Sequence, residues 1–512
     1  MVAAALAATL LDSPARQEAN LAALSDTVEW LEVRADLLGD LNADWLRSRF
    51  NGHLIYTLRS HAEGGNATES GGAREHRLLT AAKFYDLVTL EGDRDLTPQL
   101  LSRIPPRQRL ISWHGPAINL PELKAKFTKL SGVEARFYRL VPTATRPGDE
   151  LTPLALLKLT GRSDLIAHAA GLIGFWSRLV APSLGSPFVF GACGADVEGE
   201  PSINRLINDY GFPAVTPIRE IYGIAGNPVA HSLSPRLHNA AYRALGYPAL
   251  FVPFFVETFR EFWHEVVEGP ALQSLGMPIM GLTVASPHKE AALRAAKVTS
   301  SIARGAESAN ILVRDNGYWK ADTTDPDVVS MAHRERGVQM MHKRAAVIGC
   351  GGAGRAIAAA LDQSGAGVTL INRGPERGHH AAQLLGLPYI PLREFDADGY
   401  DIVVNATPVG RDDNEVPFQL EQLDDEVVVI DLVYGSKPTP LVVSTRSREQ
   451  IVIDGRDVLM TQVMRQFQIM TGKEMPATLA REMLGLTLGA SSVKPEQVVK
   501  LWTAPSLRTD AS

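Results

Sequence analysis

Eight short apolar runs spread over the first 212 residues, a proline-bounded break at 213–219, and a strand, glycine turn and helix at 344–361 predict an α/β chain in three parts. The expected parts are an N-terminal (β/α)8 barrel, then an α/β substrate domain, then a Rossmann dinucleotide-binding domain. At 512 residues the chain exceeds what one core organises, and length alone suggests about three or four domains. Apolar residues make up 45% and charged residues 21%, with 43 Gly and 32 Pro, the composition of a loop-punctuated globular protein. A formal charge of −6 argues against a nucleic-acid partner, which would need a basic stripe. The only cysteines, Cys193 and Cys350, make no disulfide framework, which fits a reducing cytoplasm. No apolar run reaches the roughly 18 residues of a membrane span. Val2–Leu11 lacks the basic start of a signal peptide and reads as a buried strand. No metal is expected.

The barrel rests on the runs Val2–Ala8, Val28–Val33, Leu54–Thr57, Leu87–Leu90, Leu110–Ser112, Arg136–Val141, Leu165–Ala169 and Phe188–Phe190, with helix-like segments between them. Chemistry in such a barrel sits at the C-terminal ends of the strands. Glu32, Arg34 and Asp36 close the second run, Arg59 and Glu63 follow the third, His114 follows the fifth and Arg178 follows the seventh. Arginines around a histidine and carboxylates suit a small anionic substrate and a proton transfer.

After the break at 213–219, a strand at Glu220–Gly226 leads into G-x-P-x-x-H-S-x-S-P-x-x-H-N, from Gly226 to Asn239. Ser232 and Ser234 present two hydroxyls from one extended segment, and Pro235 is placed to begin a helix; the alternative, Ser234 as the helix N-cap, is compatible with a ligand role for Ser232.

The nucleotide unit opens with the strand Ala345–Ile348, preceded by an expected helix over Met331–Lys343. Gly349-Cys350-Gly351-Gly352-Ala353-Gly354 follows in G-x-G-x-x-G spacing and runs into a helix at Ala356–Leu361. Glycine is needed there for positive φ, for close approach to a pyrophosphate, and for helix–strand packing. The second strand, Val368–Ile371, ends in Asn372-Arg373, with Arg377 one turn on, where an NAD site would place a carboxylate. Guanidinium groups at that position suit a 2′-phosphate and predict NADP. Near the end of the chain, Leu459, Val463, Phe467 and Met470 form an apolar helix face.

The first 212 residues resemble type I 3-dehydroquinate dehydratase. The matches are E-x-R-x-D at Glu32–Asp36, T-x-R-x-x-x-E-G-G at Thr57–Gly65, S-x-H at Ser112–His114, and G-x-x-G-x-x-S-R at Gly171–Arg178. The resemblance implies a site of Glu32, Arg34, Arg59, Glu63, His114 and Arg178, together with a sixth-strand lysine that forms an imine with the substrate ketone. Alignment puts Arg139 at that lysine's position. A guanidinium stays protonated and forms no imine. The family's serine and glutamine near the substrate carboxylate align with Asp196 and Glu200, which are expected to repel it. Lys124, Lys126, Lys129 and Lys158 fall in helix-like segments. The expectation is a dehydratase barrel whose original chemistry is lost.

Ile221 to about Leu486 resembles shikimate dehydrogenase. Besides the double-serine motif, it shows Gly281–Lys289, Ala321–Asp325, N-A-T-P-x-G at Asn405–Gly410, and Asp454-Gly455 before the last long helix. The resemblance implies catalytic Lys289 and Asp325, and substrate contacts at Ser232, Ser234, Asn310, Tyr434 and Gln462. It implies cofactor contacts at Gly349, Gly351, Gly352, Ala353, Gly354, Asn372, Arg373, Arg377, Thr407 and Gly455. Thr283, Ala285 and Thr324 depart from the family pattern, which opens quinate as a competing substrate, and Arg411 replaces a methionine. The expected boundaries are 1–212 for the barrel, 213–219 for a linker, 220–325 with 456–490 for the substrate domain, 326–455 for the NADP domain and 491–512 for a tail.

The expected function is NADP-dependent reduction of 3-dehydroshikimate to shikimate, in the cytoplasm, on small-molecule substrates and without membrane or nucleic acid. The alternatives are a fully bifunctional enzyme that also takes 3-dehydroquinate, a quinate dehydrogenase, and a barrel that only binds its ligand.

Overall fold

The computed structural model describes residues 2–11, 14–215, 217–411, 414–435 and 437–486. Positions 487–490 and the expected tail lie outside them.

The eight barrel strands are β1 (Ala5–Leu10), β2 (Val28–Arg34), β3 (His53–Thr57), β4 (Leu87–Glu91), β5 (Arg109–Pro116), β6 (Phe137–Thr143), β7 (Leu165–Ala167) and β8 (Phe188–Ala192). They form one parallel sheet in the order β7-β6-β5-β4-β3-β2-β1-β8. β7 and β8 share no ladder, so the barrel is nearly closed. The reason is length: β7 has three residues, and the chain enters its next helix at Gly171.

The period-2 alternation of the strands stacks the barrel interior in layers. Trp30, Phe137 and Phe188 meet edge to face and plug one end. Two residues further along the same strands stand Glu32, Arg139 and Phe190. Four helices matter below: α1 (Leu120–Ser131) and α2 (Leu151–Thr160), then α3 (Gly171–Val180) and α4 (Ile203–Tyr210).

The substrate domain is a mixed sheet of β9 (Glu220–Gly226), β10 (Ala249–Phe255), β11 (Ile279–Val284), β12 (Val298–Thr299), β13 (Ile311–Asp315) and β14 (Tyr318–Asp322), in the order β10-β9-β11-β13-β14-β12. Its helix α5 spans Ser234–Ala244 with Pro235 in the first turn. Leu233 rather than Ser234 is the N-cap residue. Ser234 is thus the first residue of the helix and Pro235 the second, within the first turn, where its missing N–H costs no intrahelical bond.

The barrel and this domain share one core. Trp176 of α3 lies against Phe254 of β10 at 5.3 Å, and Arg236 of α5 pairs with Asp209 of α4 at 2.7 Å. The stretch expected as a linker contributes Ala214–Val215, paired antiparallel with Val2–Ala3.

The nucleotide domain has β15 (Arg344–Ile348), β16 (Gly367–Asn372), β17 (Tyr389–Pro391), β18 (Ile402–Asn405), β19 (Val428–Asp431) and β20 (Ile451–Ile453), all parallel, in the order β17-β16-β15-β18-β19-β20. This is the doubly wound arrangement, whose ligand crevice opens where the strand order reverses beside β15. The helix expected over Met331–Lys343 instead covers Asp327–Arg336, because Gly337 takes φ 69° and ends it.

Three further helices border the sites: α6 (Lys289–Ala295) and α7 (Gly352–Gln363) precede α8 (Gly455–Thr471), which returns to the substrate domain and buries Leu459, Val463, Phe467 and Met470. Among the described residues no helix is long and apolar enough to cross a membrane.

Candidate active sites

Asp325 follows β14 and is buried with four donors on its two oxygens. Lys289 Nζ donates to Oδ2 at 2.7 Å, and Thr323 Oγ1 to the same oxygen at 3.4 Å. Asn310 Nδ2 donates to Oδ1 at 3.1 Å and Gln462 Nε2 at 2.9 Å. A carboxylate held by this many donors is fixed in position. Lys289 begins α6, and the turn before it is braced by the His288 ring, whose Nε2 meets the Val256 carbonyl at 2.7 Å.

Gln466, one turn beyond Gln462 on α8, accepts from Thr283 Oγ1 at 3.0 Å and donates to Thr324 Oγ1 at 3.1 Å. Sequence reading missed it, although its i, i+4 spacing from Gln462 puts both amides on one helix face. Thr283 and Thr324, two of the three departures from the family pattern around the substrate, are thus both bonded to Gln466. Ser232 bonds Tyr434, whose hydroxyl is pushed up by burial, while Ser234 offers its backbone N–H to Ser232 Oγ at 3.2 Å.

The glycine turn lies between this cluster and β16. Gly349 has φ 105°, a conformation that favours glycine, and a side chain on Gly354 would overlap the Gly349 carbonyl. A Cβ on Gly352 would overlap Ser308 and stand 3.5 Å from the Cβ of Lys289. Gly351 alone faces open space. It caps α7, so that helix presents its backbone N–H groups beside the Lys289 segment.

The predicted cofactor residues divide. Asn372 accepts from the Cys350 backbone N–H at 3.1 Å and donates to the Gly374 carbonyl at 2.7 Å, so it clamps the glycine turn. Arg373 and Arg377 are exposed at the end of β16. Thr407 Oγ1 donates to Asn405 Oδ1 at 2.7 Å, which fixes the N-A-T-P turn. A side chain on Gly455 would overlap the Val433 backbone, so that glycine lets α8 start against the strand end. Ala353 occupies the first turn of α7.

Arg355, also missed from sequence, is buried and joins the two domains. It donates to the Ala306 carbonyl at 2.9 Å, the Glu307 carbonyl at 3.2 Å and Glu290 at 2.9 Å.

The barrel gathers all seven of its predicted residues toward one end. Glu32 accepts from Thr9, Thr57 and Arg139, the last at 2.7 Å. Burial alone would raise its carboxyl, but Arg139, Arg59 and Arg34 outweigh that and hold it at about 2. Arg34 is paired with Asp36 at 2.7 Å. Glu63 Oε2 contacts His114 Nδ1 at 2.8 Å and accepts from Ser112 Oγ at 3.2 Å. Burial, reinforced by Glu91, lifts Glu63 to about 8, while burial and the surrounding arginines push His114 far down. His114 is therefore a neutral imidazole, and its Nε2 has no hydrogen-bond partner among the described residues.

Arg139 lies over the Phe190 ring at 3.9 Å, and among the described residues its buried Nε is also without a partner, as are the Nε atoms of Arg59 and Arg178. Lys124, Lys126 and Lys129 lie on α1 and Lys158 on α2, outside the barrel lumen. The expected repulsion by Asp196 does not arise. Its carboxylate is taken by the Ser202 backbone N–H at 2.7 Å and Arg205 at 2.9 Å, so it opens α4 instead of facing the ligand. Glu200 does approach the site, 3.7 Å from Arg178.

Comparison with known proteins places both halves. The type I 3-dehydroquinase family matches residues 7–227, and the shikimate dehydrogenase substrate binding domain matches residues 224–312. The chain is similar to the bifunctional 3-dehydroquinate dehydratase/shikimate dehydrogenase, chloroplastic, of Arabidopsis thaliana, at 26% identity over 88% of this chain and 79% of that one. It is also similar to the NADP(+) shikimate dehydrogenase of Methanothrix thermoacetophila, at 34% identity over 53% of this chain and 98% of the relative. Among solved structures, shikimate 5-dehydrogenase from Thermus thermophilus in complex with NADP(H) and shikimate aligns at 28% identity and TM-score 0.47, over 52% of this chain and 98% of that one. The chain belongs to the shikimate dehydrogenase family, as an oxidoreductase fused behind a type I 3-dehydroquinase domain.

Proposed function

We propose that the chain interconverts 3-dehydroshikimate and shikimate with NADP, and that its barrel dehydrates 3-dehydroquinate to the 3-dehydroshikimate consumed in that step. The observation that carries the oxidoreductase reading is the Lys289–Asp325 pair at 2.7 Å, set beside the glycine turn. Reducing a ketone leaves an alkoxide that must receive a proton. Lys289 gives that proton and takes it back in the oxidising direction, while Asp325 fixes Nζ in place. Ser232, Ser234 and Tyr434 bind the substrate carboxylate, and Asn310 and Gln462 orient the ring.

The residues fit NADP. Gly351 leaves open space at the start of α7, and Arg373 and Arg377 stand exposed at the end of β16. When bound, NADP exchanges the hydride. Purified protein given shikimate and NADP+ should yield NADPH across the neutral and alkaline range, and none at any pH would sink the reading. Comparing kcat/KM on shikimate and quinate decides between those two acids.

For the barrel, the match to a bifunctional relative along most of this chain supports a working dehydratase over the expectation of lost chemistry. One observation favours the second reading, a module that captures an acid without turnover: Arg139 stands where the imine lysine is expected, and the lysines nearby lie on outer helices. Adding 3-dehydroquinate without nucleotide separates them. Enone formation at an enzymatic rate supports dehydration, and binding without enone supports capture.

A further inference from the structure

We infer that Arg139 is a catalytic residue of the barrel, serving as the electron sink of a non-covalent dehydration in place of an imine. This rests on the reading of the barrel as a dehydratase.

The geometry carries it. β5 and β6 pair in register with Ser112 opposite Arg139, and side chains two residues apart on a strand share a face. Ser112, His114 and Arg139 therefore project into the same lumen. Ser112 and His114 both meet Glu63 there. Arg139 is held from one side by Glu32 and from another by the Phe190 ring, and its Nε–H remains a buried donor with nothing to bond. His114 Nε2 is likewise buried and unpartnered. A free base and a free, fixed cationic donor at one end of a barrel are what elimination from a β-hydroxy ketone requires.

The step balances without an oxidant or reductant. His114 Nε2 takes the proton from the carbon next to the ketone. The released electron pair forms the carbon–carbon double bond of an enolate, whose oxygen accepts from Arg139 Nε–H. The enolate then re-forms the carbonyl and expels the β-hydroxyl, which takes the proton back from His114 and leaves as water. Arg139 stays protonated throughout, as a guanidinium does.

The test uses the full chain and 3-dehydroquinate, with enone formation, borohydride treatment and intact mass as readouts. Wild type should form enone, gain no mass on borohydride reduction with substrate present, and keep its rate after the reagent is removed. Arg139→Gln should lower kcat by roughly 10²–10³-fold, the usual cost of a lost oxyanion donor, with little change in KM. Arg139→Lys keeps a cation beside Glu32 and guards against a variant that fails to fold; it should become trappable by borohydride, which shows the ketone next to residue 139. A borohydride adduct on wild type overturns the non-covalent route and leaves the dehydratase reading standing. No enone from wild type overturns both. An unchanged kcat in Arg139→Gln, or a folded Arg139→Lys that is never trapped, overturns the role of Arg139.

Discussion

Gln462 Nε2 donates to Asp325 Oδ1 across 2.9 Å, joining residues 137 positions apart. The long helix α8 returns from the end of the nucleotide domain to hold the carboxylate that positions Lys289. Lys289→Met is therefore expected to lower kcat for shikimate oxidation by about 10²–10⁴-fold, with NADP binding, followed by fluorescence, little changed. Gln462→Ala removes one donor of four and should cost about 1–2 kcal/mol of transition-state stabilisation, roughly tenfold in kcat/KM.

Arg373 and Arg377 are exposed at the end of β16, where Asn372 is already committed to the glycine turn. Replacing both arginines by alanine should raise the KM for NADP by about 10–100-fold, as loss of charge-assisted hydrogen bonds does, and leave the KM for NAD nearly unchanged. Equal effects on both nucleotides would sink the assignment.

The Glu63–His114 pair sets a pH dependence for the barrel. With Glu63 lifted to about 8, its neutral form hydrogen-bonds His114 Nδ1 near neutrality. Once Glu63 ionises, it accepts from Nδ1–H and leaves the Nε2 lone pair free as a base. Enone formation should accordingly rise with pH through about 8. Stability runs the other way. A carboxyl raised in the fold contributes stability that is complete below its unfolded value, near about 4.3, and is lost as pH climbs through the folded value. Glu63→Gln should flatten the fall in Tm over that window and abolish the rise in rate.

Glu200 stands 3.7 Å from Arg178, one of the arginines expected around a small anionic substrate. Glu200→Gln removes this competing charge and should lower the KM, or the Kd, for 3-dehydroquinate several-fold, an effect that added salt reduces. An unchanged value would mean that the carboxylate binds elsewhere.

The sequence by itself determined the three-part order, the eight barrel strands, the glycine turn and the Lys289 and Asp325 positions. Each is written in adjacent residues: period-2 apolar runs, a turn that only glycine fits, and polar residues at strand ends. Only the tertiary structure decided the rest. It bonded Asn372 to the glycine turn, turned Asp196 toward Arg205, added Gln466 to the polar cluster around Thr283 and Thr324, and buried Arg355 between the domains. It also left β7 and β8 unpaired. These outcomes depend on which groups from distant parts of the chain meet out of water. A buried polar atom must find a partner wherever the fold brings one, and local patterning carries no record of that choice.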